Sequence, residues 1–255
     1  MMRDTQYNYK LAKGCGLIDE TLALLSVYQE GMTKDELANY VHQYDILSRC
    51  TEHRSNDIVR IVFFSRFMRR NPKVVLWLKN IRDMGLMLSQ FKQLLMLYCA
   101  CDNAVFYDYL CMQFHELKRQ QKTIVPKEHS IQFVKQIADS GCVSWGEPIQ
   151  KRLASYLRSL LFEFELTDKK GNILPYEVAN FTVLYLMHEL HFAGLSDVAI
   201  WNHEDWQLFG LDKYQVQERI LEQNIKGGYI AQCTGDLMTI SWNYQSMEDF
   251  INGTL

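Results

Sequence analysis

Nine Lys and Arg side chains crowd residues 48–82 of this chain: Arg49, Arg54, Arg60, Arg66, Arg69, Arg70, Lys73, Lys79 and Arg82. Only two acids, Glu52 and Asp57, accompany them, so the stretch carries +7 in a protein whose formal net charge is −3. Cations at this density suit the binding of a polyanion, because they neutralise phosphates electrostatically and require no particular base or leaving group. The alternative is a set of solvated helix faces. Spacing favours the first: at the 100° per residue of an α-helix, Arg66, Arg69, Arg70 and Lys73 fall within about a 100° arc.

The other candidate chemistries are weaker. His188-Glu189-Leu190-His191 resembles a metal-binding helix, but a zincin places its second histidine one residue later. With no third ligand evident, packed or capping histidines are expected there, and neither a metal nor a cofactor. Gly14-Cys15-Gly16 lacks the third glycine and the preceding apolar strand of a phosphate loop, and reads as a hinge. Seven cysteines (15, 50, 99, 101, 111, 142 and 233) show no regular spacing and follow no secretory signal, so reduced thiols in a cytoplasmic protein are expected. Cys99 and Cys101, two apart on a helix, point in different directions. No nucleophile elbow, P-loop, Cys/His/Asn set or dinucleotide fingerprint occurs, and the early acids (Asp4, Asp19, Glu20, Asp35, Glu36) are scattered. The lone histidines His42, His53, His115, His129 and His203 are expected on the surface or in the core. No catalytic residue is assigned, and the chain is expected not to be an enzyme.

The elements that must position the basic run are helices. An apolar content of 48% with only four prolines favours a packed, mainly α fold. Thr33 and Glu36 have the spacing of a capping box. Ser55 is placed to cap a helix over 56–70, whose first half is apolar nearly all round, and Asn71-Pro72 restarts the chain into a short helix over 72–83. Amphipathic helices over 86–101 and 103–118 carry a Met and aromatic stripe read as core. The polar segment 118–122 is taken as a boundary between an N-terminal domain, 1–122, and a C-terminal domain, 123–255. Helices are expected over 130–139, 149–164 (with Lys151, Arg152 and Arg158 outward), 176–192 and 212–225, with a turn at 168–172. Tyr229–Thr234 and Leu237–Trp242 alternate around Gly235-Asp236 as a hairpin. Helix followed by hairpin suggests a winged-helix unit, yet residues 187–222 hold seven acids against two bases, which suits a packing or protein-contact role better than phosphate binding. The longest apolar runs, 94–101 and 183–187, fall far short of the roughly 18–20 residues that span a bilayer.

Two stretches carry a resemblance to a known family. One is Tyr44–Arg70, with Arg49-Cys50-Thr51, Ser55, Arg60 and Arg66; the other is the hairpin and its Ser241-Trp242-x-Tyr244-x-Ser246-Met247-Glu248 tail. In these the chain resembles the BrxA family of bacteriophage-exclusion (BREX) systems. The resemblance implies a mostly helical protein, with an N-terminal part similar to the NusB-type RNA-binding fold, that binds double-stranded DNA without catalysis. It also implies partners: an adenine methyltransferase, an ATPase and an alkaline-phosphatase-like protein. Two further roles stay open, an assembly subunit docking on protein partners and an RNA-binding protein.

Overall fold

The structure, a computed structural model, describes residues 3–48, 50–69, 71–235 and 237–255; Arg49 and Arg70 of the basic run and Asp236 of the expected hairpin turn lie outside them. A 3₁₀ turn, Lys10–Lys13, precedes α1 (Ile18–Val27) and α2 (Lys34–Gln43), and α3 (Glu52–Asn56) runs directly into a π-helical stretch, Asp57–Met68. Then come α4 (Lys73–Asp83), α5 (Leu88–Asp102) and α6 (Ala104–Asp108), a second π stretch (Tyr109–Phe114), and α7 (His115–Arg119), α8 (Lys127–Asp139) and α9 (Glu147–Glu163). The chain ends with α10 (Asn180–Phe192), α11 (Asp197–Trp201), a 3₁₀ turn (Glu204–Phe209), α12 (Lys213–Glu222), the strands β1 (Tyr229–Thr234) and β2 (Leu237–Trp242), and α13 (Met247–Thr254). The mainly helical fold with a small C-terminal hairpin matches the expectation from sequence.

The fold divides into two compact units that interleave along the chain, residues 3–79 with Leu95–Tyr176, and Asn80–Leu94 with Glu177–Leu255. Residues 118–122 lie inside the first, larger unit.

The larger unit is built on side chains that leave no polar face. From Leu95 to Cys101 no residue is more than 3% exposed, and Ala104, Val105, Phe106, Tyr109 and Leu110 are at 0%. Burying each large apolar side chain contributes about 1.5–3 kcal/mol, so this run is a main source of the unit's stability. Phe106 stacks on Phe164 at 5.9 Å, and Phe67 meets Tyr98 edge-on at 5.7 Å. At the entrance to α2 the capping box closes as its spacing requires, with Thr33 Oγ1 accepting from the Glu36 amide at 3.2 Å and Glu36 Oε2 from the Thr33 amide at 2.8 Å. The helix expected over 56–70 differs in two ways. Its cap is Thr51, which accepts from the Arg54 amide, so the helix begins four residues before Ser55 could start it. From Asp57 onward it winds as a π-helix, with the Arg69 amide reaching back to the Phe64 carbonyl at 2.8 Å. Each residue of a π-helix advances by less than 100°, which redistributes the side chains around the axis.

In the smaller unit α10 is buried all round from Phe181 to Leu190. The hairpin pairs Tyr229 with Trp242 through Thr234 with Leu237, and its inward residues Tyr229, Ala231, Met238 and Ile240 are buried in the alternation a two-residue period demands. Asp197, in the first turn of α11, accepts from the Ile240 amide at 2.9 Å and the Trp242 indole at 3.3 Å, which fixes β2. Asn224 bridges both the amide and the carbonyl of Ala231.

Candidate nucleic-acid interface

The basic run does not form one outward strip. Arg66 is only 7% exposed and points inward, where its guanidinium donates to the carbonyls of Gly16 at 2.9 Å, Gly14 at 3.1 Å and Cys15. Its expected place beside Arg69 assumed α-helical winding; within the π stretch, Ser65, Arg66, Phe67 and Met68 are all buried together. Arg54 donates to the Lys13 carbonyl. Lys79 reaches the carbonyls of Tyr28 at 2.8 Å and Ser26 at 3.3 Å, placing an ammonium at the C-terminal end of α1 where the helix dipole is negative. Arg60 pairs with Asp35 at 2.5 Å, both partly exposed, and its Nε bonds Asn56. Such a surface pair contributes about 0–1 kcal/mol and is readily exchanged for another anion.

Among the described residues of the run, Arg69, at the end of the π stretch, Lys73, at the start of α4, and Arg82 stand exposed, as does Arg60 in its surface pair with Asp35. Between Arg69 and Lys73 the chain breaks and restarts as its sequence implies, with Asn71 Oδ1 accepting from the Lys73 amide at 3.1 Å. Arg69 and Lys73 belong to the larger unit and Arg82 to the smaller.

The loop that Arg66 grips is held from its other side by a residue the sequence did not single out. Glu163, at the end of α9, accepts from the Leu17 amide at 3.1 Å, and a Cβ on Gly16 would meet its carboxylate at 2.4 Å. The loop therefore presents carbonyls to a guanidinium and an amide to a carboxylate, which fixes it as structure. Burial raises the Glu163 carboxyl against the pull of the Leu17 amide and Arg66. Between them, burial pushes the Cys15 thiol up to about 12, so it is unreactive near neutrality.

His188 and His191 are taken by separate aromatic planes. The His188 ring stacks on Phe250 at 4.0 Å and 13°, and that of His191 on Trp242 at 4.1 Å and 10°. His188 Nδ1 donates to the Leu184 carbonyl at 2.9 Å while its Nε2 is buried with no partner among the described residues, and burial lowers the imidazole to about 4. Among the described residues no group of three or more His, Cys, Asp or Glu side chains is arranged to hold a metal ion, and the described cysteines are all free. No helix among those residues is long and apolar enough to cross a membrane.

A crystal structure of an uncharacterized protein from Magnetospirillum magneticum resembles this fold, with a TM-score of 0.60 at 16% identity over 73% of this chain and 95% of that one. At that identity the likeness is one of fold. No curated protein matches the chain. The BrxA family model matches residues 5–189, which include the Gly14–Leu17 loop, the whole basic run and most of α10, and stop short of the hairpin. Spanning well over half of the sequence, that match shows that the chain belongs to the BrxA family.

Proposed function

We propose that this protein binds double-stranded DNA without catalysing a reaction, as a component of a bacteriophage-exclusion system. Family membership supports the system and, with it, association with a methyltransferase, an ATPase and a phosphatase-like protein. The observation that carries the DNA reading is the exposure of Arg69 and Lys73 on either side of the Asn71-Pro72 break, in a stretch of +7 within a chain of −3. These two cations are the centre of the proposed contact. Arg60 joins them once a phosphate replaces Asp35, and Arg49, Arg70 and Arg82 are the run's remaining candidates. Arg54, Arg66 and Lys79 act indirectly, by holding the backbone from which the others project. Contacts of this kind read phosphates and not bases, so affinity should be largely independent of sequence.

The test is retention of the purified protein on duplex DNA at low salt, in competition with structured RNA. The proposal predicts a shifted duplex that an unrelated duplex displaces as well as a matched one does. Preferential displacement by RNA would replace DNA with RNA as the ligand. No retention of either would favour the assembly role, with the basic run docking on an acidic protein partner.

A further inference from the structure

A second cationic feature lies apart from the basic run, in a cavity of about 250 Å³ within the larger unit. Its walls are the outward face of α9 (Ser155, Arg158, Ser159 and Phe162) and the turn that carries Asp168 and Lys169. Long-range backbone pairing builds it: the Val125 amide donates to the Gly171 carbonyl at 2.9 Å and the Ile173 amide to the Thr123 carbonyl at 2.8 Å, clamping the turn beside the helix.

The chemistry of these walls points to an anion. Arg158 is partly buried, and among the described residues it has neither a hydrogen-bond nor an ion-pair partner. Partial burial of an unpaired guanidinium is unfavourable, and an anion in the adjoining cavity would relieve it. Lys169 leans over the Phe162 ring at 5.6 Å, which keeps a second positive charge at the same wall. Ser155 and Ser159, four apart on one helix face, add hydroxyl donors that both phosphate oxygens and neutral groups accept. The one acid in the lining is outnumbered by the two cations, and its oxygens are engaged within its own turn: the Asp168 carboxylate accepts from the Lys170 amide at 2.8 Å, the Asn172 amide at 2.9 Å and the Asn172 side chain at 2.7 Å. The volume lies below the range of pockets for drug-sized ligands, which suits a phosphate with at most part of its sugar.

We propose that this cavity binds a phosphate group, held by Arg158 and Lys169 with the hydroxyls of Ser155 and Ser159. The phosphate comes either from a small phosphomonoester or from a nucleic-acid backbone. The test follows melting of the full chain in rising inorganic phosphate against sodium chloride at matched ionic strength. Phosphate should raise the melting temperature beyond chloride, and Arg158→Gln should weaken the apparent phosphate affinity about tenfold or more, as expected for the loss of charge-assisted bonds. Ser155→Ala with Ser159→Ala, a milder change, should weaken it less. Adenosine 5′-monophosphate and a short duplex then separate the sources. Competition by the nucleotide with duplex retention unchanged in Arg158→Gln identifies a phosphomonoester, and reduced duplex affinity in that variant identifies a backbone phosphate. Equal responses to phosphate and chloride, or a full phosphate response in Arg158→Gln, would overturn the proposal. The Arg69→Glu, Lys73→Glu double variant should keep the difference between phosphate and chloride that Arg158→Gln removes, so this site and the proposed DNA contact fail separately.

Discussion

At the scale of single residues, the same side chain type does opposite work in one helix. Arg66 is a structural cation that holds three consecutive carbonyls, while Arg69, three positions on, stands in solvent. Replacing Arg66 by Met leaves the carbonyls of Gly14, Cys15 and Gly16 without that donor and Glu163 without its compensating charge. The expected cost is at least about 2 kcal/mol, read as a clear fall in chemical-denaturation midpoint, whereas Arg69→Glu should leave that midpoint unchanged. Equal midpoints for the two variants would contradict this division. His188 makes a separate prediction. Its imidazole titrates at about 4 in the fold against an ordinary 6.5, so between these values the unfolded chain binds more protons than the native one. Its contribution is complete above pH 6.5 and is lost as the pH falls towards 4, by up to about 1.4 kcal/mol per pH unit. Glu163 and Asp102, both raised by burial, act with the opposite sign, so the comparison must be with His188→Phe in the same buffers. The variant should flatten the fall in stability below pH 6.5, and an unchanged profile would refute the assignment. His191, Tyr229 and Tyr244 also surround this ring, and burial lowers the His191 imidazole as well, so its titration is followed in the same comparison.

At the scale of elements, the connection from α12 to the hairpin holds a conformation its sequence disfavours. Ile225 has φ of +71° and is 74% exposed, a β-branched residue in the left-handed region with little apolar contact to offset the strain. Ile225→Gly should therefore raise the melting temperature, by roughly 1 kcal/mol of stability, and a lower melting point would show that the side chain contributes more than the strain costs. Elements governed by local rules were legible. The Thr33–Glu36 box depends only on a three-residue spacing, and the hairpin on a two-residue period with a tight turn. The start of α3 was not, because Thr51 and Ser55 are both hydroxyls able to cap and only the fold selects between them. π winding leaves no periodic signature distinct from an apolar α-helix, so the inward turn of Arg66 was hidden together with the carbonyls, some fifty residues earlier in the chain, that receive it. The α9 cavity was half visible. Arg158 was expected outward, but the turn that completes the pocket reaches it through pairing between residues 123–125 and 171–173, which no local pattern announces.

At the scale of the whole molecule, charge is divided along the chain: +7 across residues 48–82 and −5 across 187–222, in a protein that is acidic in sum. Long-range attraction to a polyanion is therefore weak, and binding depends on short-range contacts that salt screens strongly. The most direct measurement is duplex affinity as a function of salt, for the wild-type chain and for the Arg69→Glu, Lys73→Glu double variant. The plot of log K against log salt should fall by about 0.9 for each phosphate neutralised, and the double variant should bind more weakly with a slope shallower by about two. Wild-type affinity that ignores salt, or a double variant that keeps both affinity and slope, would contradict the assignment of this surface to DNA.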